Sequence, residues 1–221
     1  METVETTNTP IVVSVHADTA LENLTIGEYR DLVDAAMDVP VIILVFGFGH
    51  PVYTLESSLS RGVSVTRSGY GSPFFIDFAM VGTISASVLL GAATLSLIVD
   101  RVTRSLRNLA EAKRTRAEEH KLNAEESKVR AETDEIRARL LAARTLSEEE
   151  KLEAVLETVR LIDSHLPDRA NIKTLISWLV RNAEPDTATT EMGSDNEKYA
   201  KEILLRIANM AAVRLKIRTE D

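Results

Sequence analysis

Residues 78–99 read FAMVGTISASVLLGAATLSLIV, twenty-two consecutive positions without a charged side chain. At a rise of roughly 1.5 Å per residue, a helix of this length spans about 33 Å, enough to cross the hydrocarbon core of a bilayer. Apolar residues would lie on every face of that helix, which is typical of a membrane span or of a helix wholly buried in a protein. The length of the run favours the membrane, and we expect a transmembrane helix within residues 73–99.

Small residues recur every four positions in this segment and would line one stripe of the helix. They are Ala79, Thr83, Ser87 and Gly91. In lipid no hydrophobic force drives helices together, and stripes of small residues let two backbones approach closely. We therefore expect this stripe to mediate helix association and to make the protein a homo-oligomer. Asp77, just before the segment, is expected to cap the helix N-terminus.

A cluster of basic residues follows the apolar segment directly. Its members are Arg101, Arg104, Arg107, Lys113, Arg114 and Arg116, opposed within residues 101–116 only by Glu111. Positive charge beside a membrane span marks its cytoplasmic side, so the pattern predicts a single-pass protein of the cell membrane with a cytoplasmic C-terminal region. The same juxtamembrane cluster suits anionic lipid headgroups as a partner. The first ten residues, METVETTNTP, are polar and acidic, which does not fit a cleaved signal peptide.

Residues 100–145 are expected to continue the helix as a long charged stalk, because nothing between Gly91 and Gly193 or between Pro73 and Pro167 forces it to stop. Two series recur every seven residues, namely Leu122, Val129, Ile136 and Ala143, and Ala110, Ala117, Ala124, Ala131 and Ala138. The two series lie on different faces, so they predict either an alanine-rich coiled coil or a stalk held by neighbouring helices.

The N-terminal part, residues 1–72, is expected to be a small α+β module. Residues 11–15 are apolar and β-branched, typical of a strand, and Thr25 with Glu28 has the spacing of a capping box at a helix start. Residues 41–46 form a continuous apolar run and residues 62–67 alternate, so both are predicted to be strands.

The C-terminal part, residues 146–221, is expected to be a three-helix bundle. Ser147 and Glu150 form a second capping box, and apolar residues follow at helical spacing over residues 152–162, 172–179 and 199–211. Three short amphipathic helices bury their apolar faces most simply against one another, and Trp178 is expected to pack among them. The predicted fold class is therefore mainly α, with an α+β module, a transmembrane-type helix and a helical or coiled-coil stalk before the bundle.

Composition limits the classes of function. The chain has 221 residues, a formal net charge of −8 and no cysteine, which excludes disulfide scaffolds, cysteine zinc sites and thiol catalysis. The acidic balance argues against nucleic acid as a partner. The sequence contains none of the local signatures of zinc proteases, P-loop enzymes or serine hydrolases, and its four histidines are far apart. We expect no catalytic, cofactor or metal site.

These expectations lead to a non-enzymatic, single-pass membrane protein that self-associates and uses its cytoplasmic stalk and bundle to bind an unknown protein partner. One alternative is a membrane-perturbing or channel-like effector, with Thr83, Ser87, Thr94 and Ser96 as the polar lining of a pathway. A second alternative is a soluble helical interaction protein in which residues 78–99 form a buried core helix. The three interpretations differ in what surrounds that apolar segment.

Overall fold

The computed structural model describes residues 10–17, 25–48, 63–70, 74–80, 85–119, 146–163, 170–183 and 191–220. This part of the chain is mostly helical, with five helices and one four-stranded antiparallel sheet. The elements in chain order are β1 (Ile11–Ala17), α1 (Ile26–Phe48), β2 (Val63–Tyr70), β3 (Phe74–Met80), α2 (Ser85–Glu119), α3 (Glu148–Asp163), α4 (Ala170–Ala183), α5 (Glu191–Ala212) and β4 (Leu215–Glu220).

These elements divide into two compact units. The first, which we call the sheet unit, contains the four strands, α1, α2 up to Leu97 and α4 up to Ile176. The second, the helical unit, contains α2 from Ile98, α3, α4 from Ser177, and α5. Both α2 and α4 therefore contribute residues to each unit.

The sheet has the strand order β2-β3-β1-β4, and every neighbouring pair is antiparallel. β1 lies between β3 and the C-terminal strand β4, with Ser14 opposite Asp77 on one side and Arg218 on the other. Along the chain the described elements therefore run β-α-β-β, then the helices α2 to α5, then β4. Strands from both ends of the sequence thus complete one sheet.

One face of the sheet packs into the hydrophobic core of the sheet unit. Val13 and Val15 of β1 and Phe74, Ile76 and Phe78 of β3 point to it and are at most 3% exposed. Helix α1 lies on this side, and its Tyr29 meets the Phe74 ring edge-on at 6.3 Å between centroids. Because side chains alternate along a strand, the intervening residues project from the opposite face.

The predicted transmembrane helix is wrong. Residues 78–80 are the end of β3, where Phe78 pairs with Val13, and α2 begins only at Ser85. Fifteen residues then remain before Asp100, about 22 Å of helix, which is short of a bilayer core. Within the described ranges, no helix is both long and apolar enough to cross a membrane. The single-pass membrane location inferred from this segment is therefore corrected as well.

Helix α1 corrects a second expectation, the strand over residues 41–46. These residues continue α1 beyond Pro40, and Ile42, Val45 and Phe46 are fully buried. A short apolar run fits a buried strand or a buried helix equally well, and here burial compensates the usual cost of proline inside a helix. The start of α1 is as predicted, since the Thr25 amide donates to Glu28 Oε2 at 2.7 Å and the Glu28 amide donates to Thr25 Oγ1 at 3.3 Å.

A very close approach joins α1 and α2 at Gly91. A Cβ atom at this position would lie 2.2 Å from the carbonyl oxygen of Ile43 and 3.0 Å from the backbone nitrogen of Gly47. Atoms of the backbone cannot move aside as the end of a flexible side chain can. Glycine at position 91 is therefore required for these two helices to pack as they do.

We predict that Gly91→Ala destabilises the protein by about 1–3 kcal/mol, the usual cost of overpacking a core. Helix propensity alone would make the alanine variant more stable by about 1 kcal/mol. The sign of the change in the free energy of unfolding therefore shows whether overpacking or helix propensity dominates. Denaturant unfolding measures the difference. Ala93→Leu, which enlarges an exposed side chain two positions along the same helix, should change stability by less than about 0.5 kcal/mol. A Gly91→Ala variant as stable as the wild type would contradict the close packing.

The coiled-coil stalk is not supported either. Val102, Leu106 and Ala110 of α2 are buried within the helical unit, at the spacing of one helix face. The segment that follows Asp100 therefore packs against its own chain over these turns, instead of extending as a solvated rod. The heptad positions from Leu122 onward lie outside the described residues.

The three C-terminal helices occur close to their predicted positions as α3, α4 and α5, but they do not form a bundle of three alone. The helical unit includes the second part of α2, and the first part of α4 belongs to the sheet unit. Trp178 of α4 meets Tyr199 of α5 edge-on at 6.3 Å between ring centroids. After α5 the chain turns at Arg214, which has a positive φ of 55°, and enters β4, a strand that was not predicted.

The capping box of α3 also anchors that helix to α2. Ser147 and Glu150 exchange the two expected hydrogen bonds, at 2.9 and 3.2 Å. Glu150 in addition forms an ion pair with Lys113 of α2. The Lys113 ammonium group, followed by the Ser147 amide, lowers the pKa of Glu150 below its ordinary value. The carboxylate is thus more stable in the folded protein than in the unfolded chain.

This lowered pKa predicts a pH dependence. A group whose pKa is depressed by folding stabilises the protein above its unfolded pKa, and the stabilisation is lost as the pH falls through the folded pKa. We expect Glu150→Gln to lower the unfolding midpoint at pH 7 and the difference from wild type to vanish at acid pH. Thermal unfolding between pH 7 and pH 2 measures this. Glu149→Gln, in the same turn, is the control; equal and pH-independent effects of both variants would contradict the assignment.

Candidate functional site: the polar face of the sheet

The face of the sheet opposite the core carries polar, basic and aromatic side chains from all four strands. We call it the polar face; two of its rows contain Ser14, His16, Arg67, Gly69, Phe75, Asp77, Lys216 and Arg218, and the adjacent row contains Val12, Ala79 and Glu220. One row across the strands reads Arg67, Asp77, Ser14 and Arg218, and the next reads Gly69, Phe75, His16 and Lys216. In these two rows the register brings together residues that are up to 204 positions apart in the sequence.

Asp77 lies at the centre of the first row and is a buried carboxylate, 3% exposed. Ser14 Oγ donates to its Oδ1 at 2.8 Å, and Arg67 Nε donates to its Oδ2 at 2.8 Å. A shift in the β2–β3 register between Val65 and Arg67 places the arginine directly opposite the carboxylate. The buried charge is thereby compensated, as a buried carboxylate requires. Asp77 was expected to cap a helix, and that expectation is wrong because the residue lies inside β3.

This arrangement does not resemble a catalytic one. Ser14 donates directly to the carboxylate and is only 1% exposed, so its oxygen is not presented to a substrate. A nucleophilic serine needs a base between it and the acid, and His16 instead lies beside the Phe75 ring. Both oxygens of Asp77 accept hydrogen bonds from side chains of the neighbouring strands. The cluster thus links β1, β2 and β3 through side-chain hydrogen bonds.

Aromatic and basic groups surround Asp77. The Phe75 ring fills the space above Gly69, where a Cβ atom would lie 2.3 Å from the ring. Its centroid is 6.2 Å from that of the His16 imidazole, and the Arg67 guanidinium lies 5.0 Å from the Phe75 centroid in cation–π geometry. Both rings are half-buried, and the Arg67 side chain is 66% exposed. Part of the ring pair is therefore accessible beside a positive charge.

The polar face has the opposite charge to the chain as a whole. Arg67, Lys216 and Arg218 carry three positive charges there against two acidic positions, Asp77 and Glu220, while the whole chain carries −8. Lys216 and Arg218 are exposed on the edge strand β4. Arg67 compensates Asp77, so Lys216 and Arg218 against Glu220 leave a formal charge of +1 on this face.

The predicted association residues do not share one helix. Ala79 lies in β3, opposite Val12, and Gly91 lies on α2 against α1 of the same chain. Thr83 and the side chain of Ser87 lie outside the described residues. The spacing argument required a single helix, so it no longer applies to the four residues together. Self-association of the protein stays a prediction.

The predicted basic cluster lies along α2. Arg101 is exposed, Arg104 pairs with Asp100 at 2.6 Å, and Arg107 pairs with Glu111 at 3.0 Å. Lys113 forms the ion pair with Glu150 that is described above. Arg114 and Arg116 are on the same helix, but their side chains lie outside the described residues. Three of the four described basic groups thus have acidic partners within the chain, which reduces the positive potential of the cluster.

Two of the four hydroxyl residues proposed as a channel lining, Thr94 and Ser96, also have internal partners. Thr94 Oγ1 donates to the Leu90 carbonyl at 2.8 Å, and Ser96 Oγ donates to the Ile217 carbonyl of β4 at 3.2 Å. Among the residues that the structure describes, no three histidine or acidic side chains converge to hold a metal ion. Comparison with models of protein families, with curated proteins and with solved structures finds no match for this chain.

We predict that Arg67→Met destabilises the protein by about 1–2 kcal/mol, because it leaves the buried Asp77 carboxylate with one partner fewer. The cost stays below that of breaking a fully buried pair, since water reaches the Arg67 side chain. Combining it with Asp77→Asn in a double-mutant cycle should recover part of the loss. Arg104→Met, which breaks an exposed pair, should cost less than about 0.5 kcal/mol. Strictly additive effects of Arg67→Met and Asp77→Asn in denaturant unfolding would contradict the coupling.

Proposed function

We propose that this protein is a non-enzymatic binding protein that engages an anionic partner through the polar face of its sheet. The observation that carries the proposal is the position of Lys216 and Arg218, together with the Asp77-bound Arg67, around a half-exposed ring pair in a chain that is otherwise acidic. Complementary charge guides encounter and selects partners, and a local patch suffices for this even when the net charge is unfavourable.

The burial of α2 supports an interaction protein with a buried core helix over a membrane-spanning one. Ala92, Leu95 and Ile98 are at most 2% exposed, so the apolar segment contributes to the interior of the chain. The hydroxyl groups of Thr94 and Ser96 are engaged within the sheet unit, which gives no support to a polar channel lining. In this proposal the apolar part of α2 packs in the core that supports the sheet, and the polar face of the sheet binds the partner.

The proposal is tested by chromatography on heparin, a general polyanion. We expect the wild-type protein to bind heparin at low salt. The double variant Lys216→Gln/Arg218→Gln should elute at a clearly lower salt concentration, because each lost contact reduces the number of counterions that binding releases from heparin. The control Arg181→Gln/Lys198→Gln removes the same charge from exposed positions of the helical unit and should elute with the wild type. If both double variants shift equally, or if the wild type does not bind, the proposal fails.

A further inference from the structure

We propose that the anionic partner of the polar face is a single-stranded nucleic acid, with its bases on the Phe75–His16 ring pair and its phosphates on the basic residues at either side. The inference rests on the proposed function and narrows it to one class of ligand. Its basis is that rings and positive charges lie side by side on one sheet surface, with the rings 6.2 Å apart and partly exposed.

The ring pair supplies what a nucleobase needs. Every base has a flat π surface, and stacking on an aromatic side chain does not depend on sequence. Phe75 and His16 occupy the two central strands, and Gly69 leaves room for the Phe75 ring because it has no side chain of its own. Exposed aromatic residues on a four-stranded sheet are one established means of binding unpaired bases. An acidic peptide would use the positive charges but has no comparable use for the rings.

The basic residues lie on both edge strands of the sheet, a placement that suits a strand crossing it. Arg67 is on β2 and Arg218 on β4, at opposite edges of the sheet and three strand spacings apart. At roughly 4.8 Å per spacing, their backbones are about 14 Å from each other. Successive phosphates of a strand crossing the sheet can therefore contact basic residues on both edge strands. A duplex fits poorly, because its bases are stacked inside and unavailable to the rings.

The net charge of −8 does not contradict this inference. The sequence-based argument against nucleic acid averaged charge over the whole chain, whereas electrostatic attraction is screened beyond about 10 Å at moderate salt. A ligand at the polar face therefore meets the local charge first. The acidic remainder of the chain restricts binding to short segments and makes it sensitive to salt.

The test uses the full chain and fluorescence anisotropy at about 0.1 M salt, where charges are screened beyond about 10 Å, with 5′-labelled dT8 as the probe. A duplex of the same length, an octaglutamate peptide and free thymidine monophosphate serve as competitors. We expect dT8 to bind, unlabelled dT8 to displace it, and the three competitors to act at least about ten-fold more weakly. Phe75→Leu should weaken binding by about ten-fold through lost stacking, while Phe75→Tyr retains the affinity. Arg218→Gln should weaken binding and reduce the salt slope by about one.

Controls separate this inference from the proposed function. Arg181→Gln should leave dT8 binding unchanged, and circular dichroism should show that each variant is folded. If Phe75→Leu does not fold, His16→Ala provides the same test from the neighbouring ring. The nucleic-acid inference is overturned if dT8 binds no more tightly than octaglutamate, or if loss of either ring leaves dT8 binding unchanged. The proposed function stays intact in that case, provided that heparin binding depends on Lys216 and Arg218. Absence of binding to every polyanion would overturn both.

Discussion

The register of β1 is the constraint on which the sheet unit depends. This seven-residue strand pairs with β3 on one side and with the C-terminal strand β4 on the other. Side chains alternate along it, so Val13 and Val15 face the core while Ser14 and His16 belong to the polar face. A slip of one residue would exchange the two sets and place polar groups beneath α1. The hydrophobic core and the candidate binding surface are therefore two consequences of one register.

Patterns within short stretches of sequence correctly predicted the helices and strands that such stretches determine by themselves. Both capping boxes were predicted from four-residue spacings, and they occur at the starts of α1 and α3 with the expected hydrogen bonds. The predictions of β1, β2 and the three C-terminal helices were also correct in kind. β4 was missed although its signal was present, because Leu215 and Ile217 alternate with Lys216 and Arg218 as in a half-buried strand. Its position directly after a helix, with a turn at a non-glycine residue, obscured that alternation.

The candidate site could not be predicted in the same way. Ser14, Arg67 and Asp77 are far apart in sequence, and only the pairing of β1 and β2 with β3 brings their side chains into contact. Asp77 was predicted to be a helix cap because it precedes an apolar run. Its actual role follows from a bulge in β2 that no composition or spacing reveals. The charge argument has a related limit, since an average over 221 residues does not show where on the sheet the basic residues lie.

The apolar segment was misinterpreted because burial in protein and burial in lipid select the same residues. Both environments exclude water from the helix surface, and both favour small residues where two helices touch. Gly91 has the function expected of such a residue, a close helix contact, but its neighbour is α1 of the same chain. What distinguishes the two cases is the strand at the start of the segment: pairing Phe78 and Ala79 with β1 satisfies their backbone groups in a sheet and leaves a helix too short to span a bilayer. An apolar run thus indicates a membrane helix only when its first residues have no strand partner elsewhere in the chain.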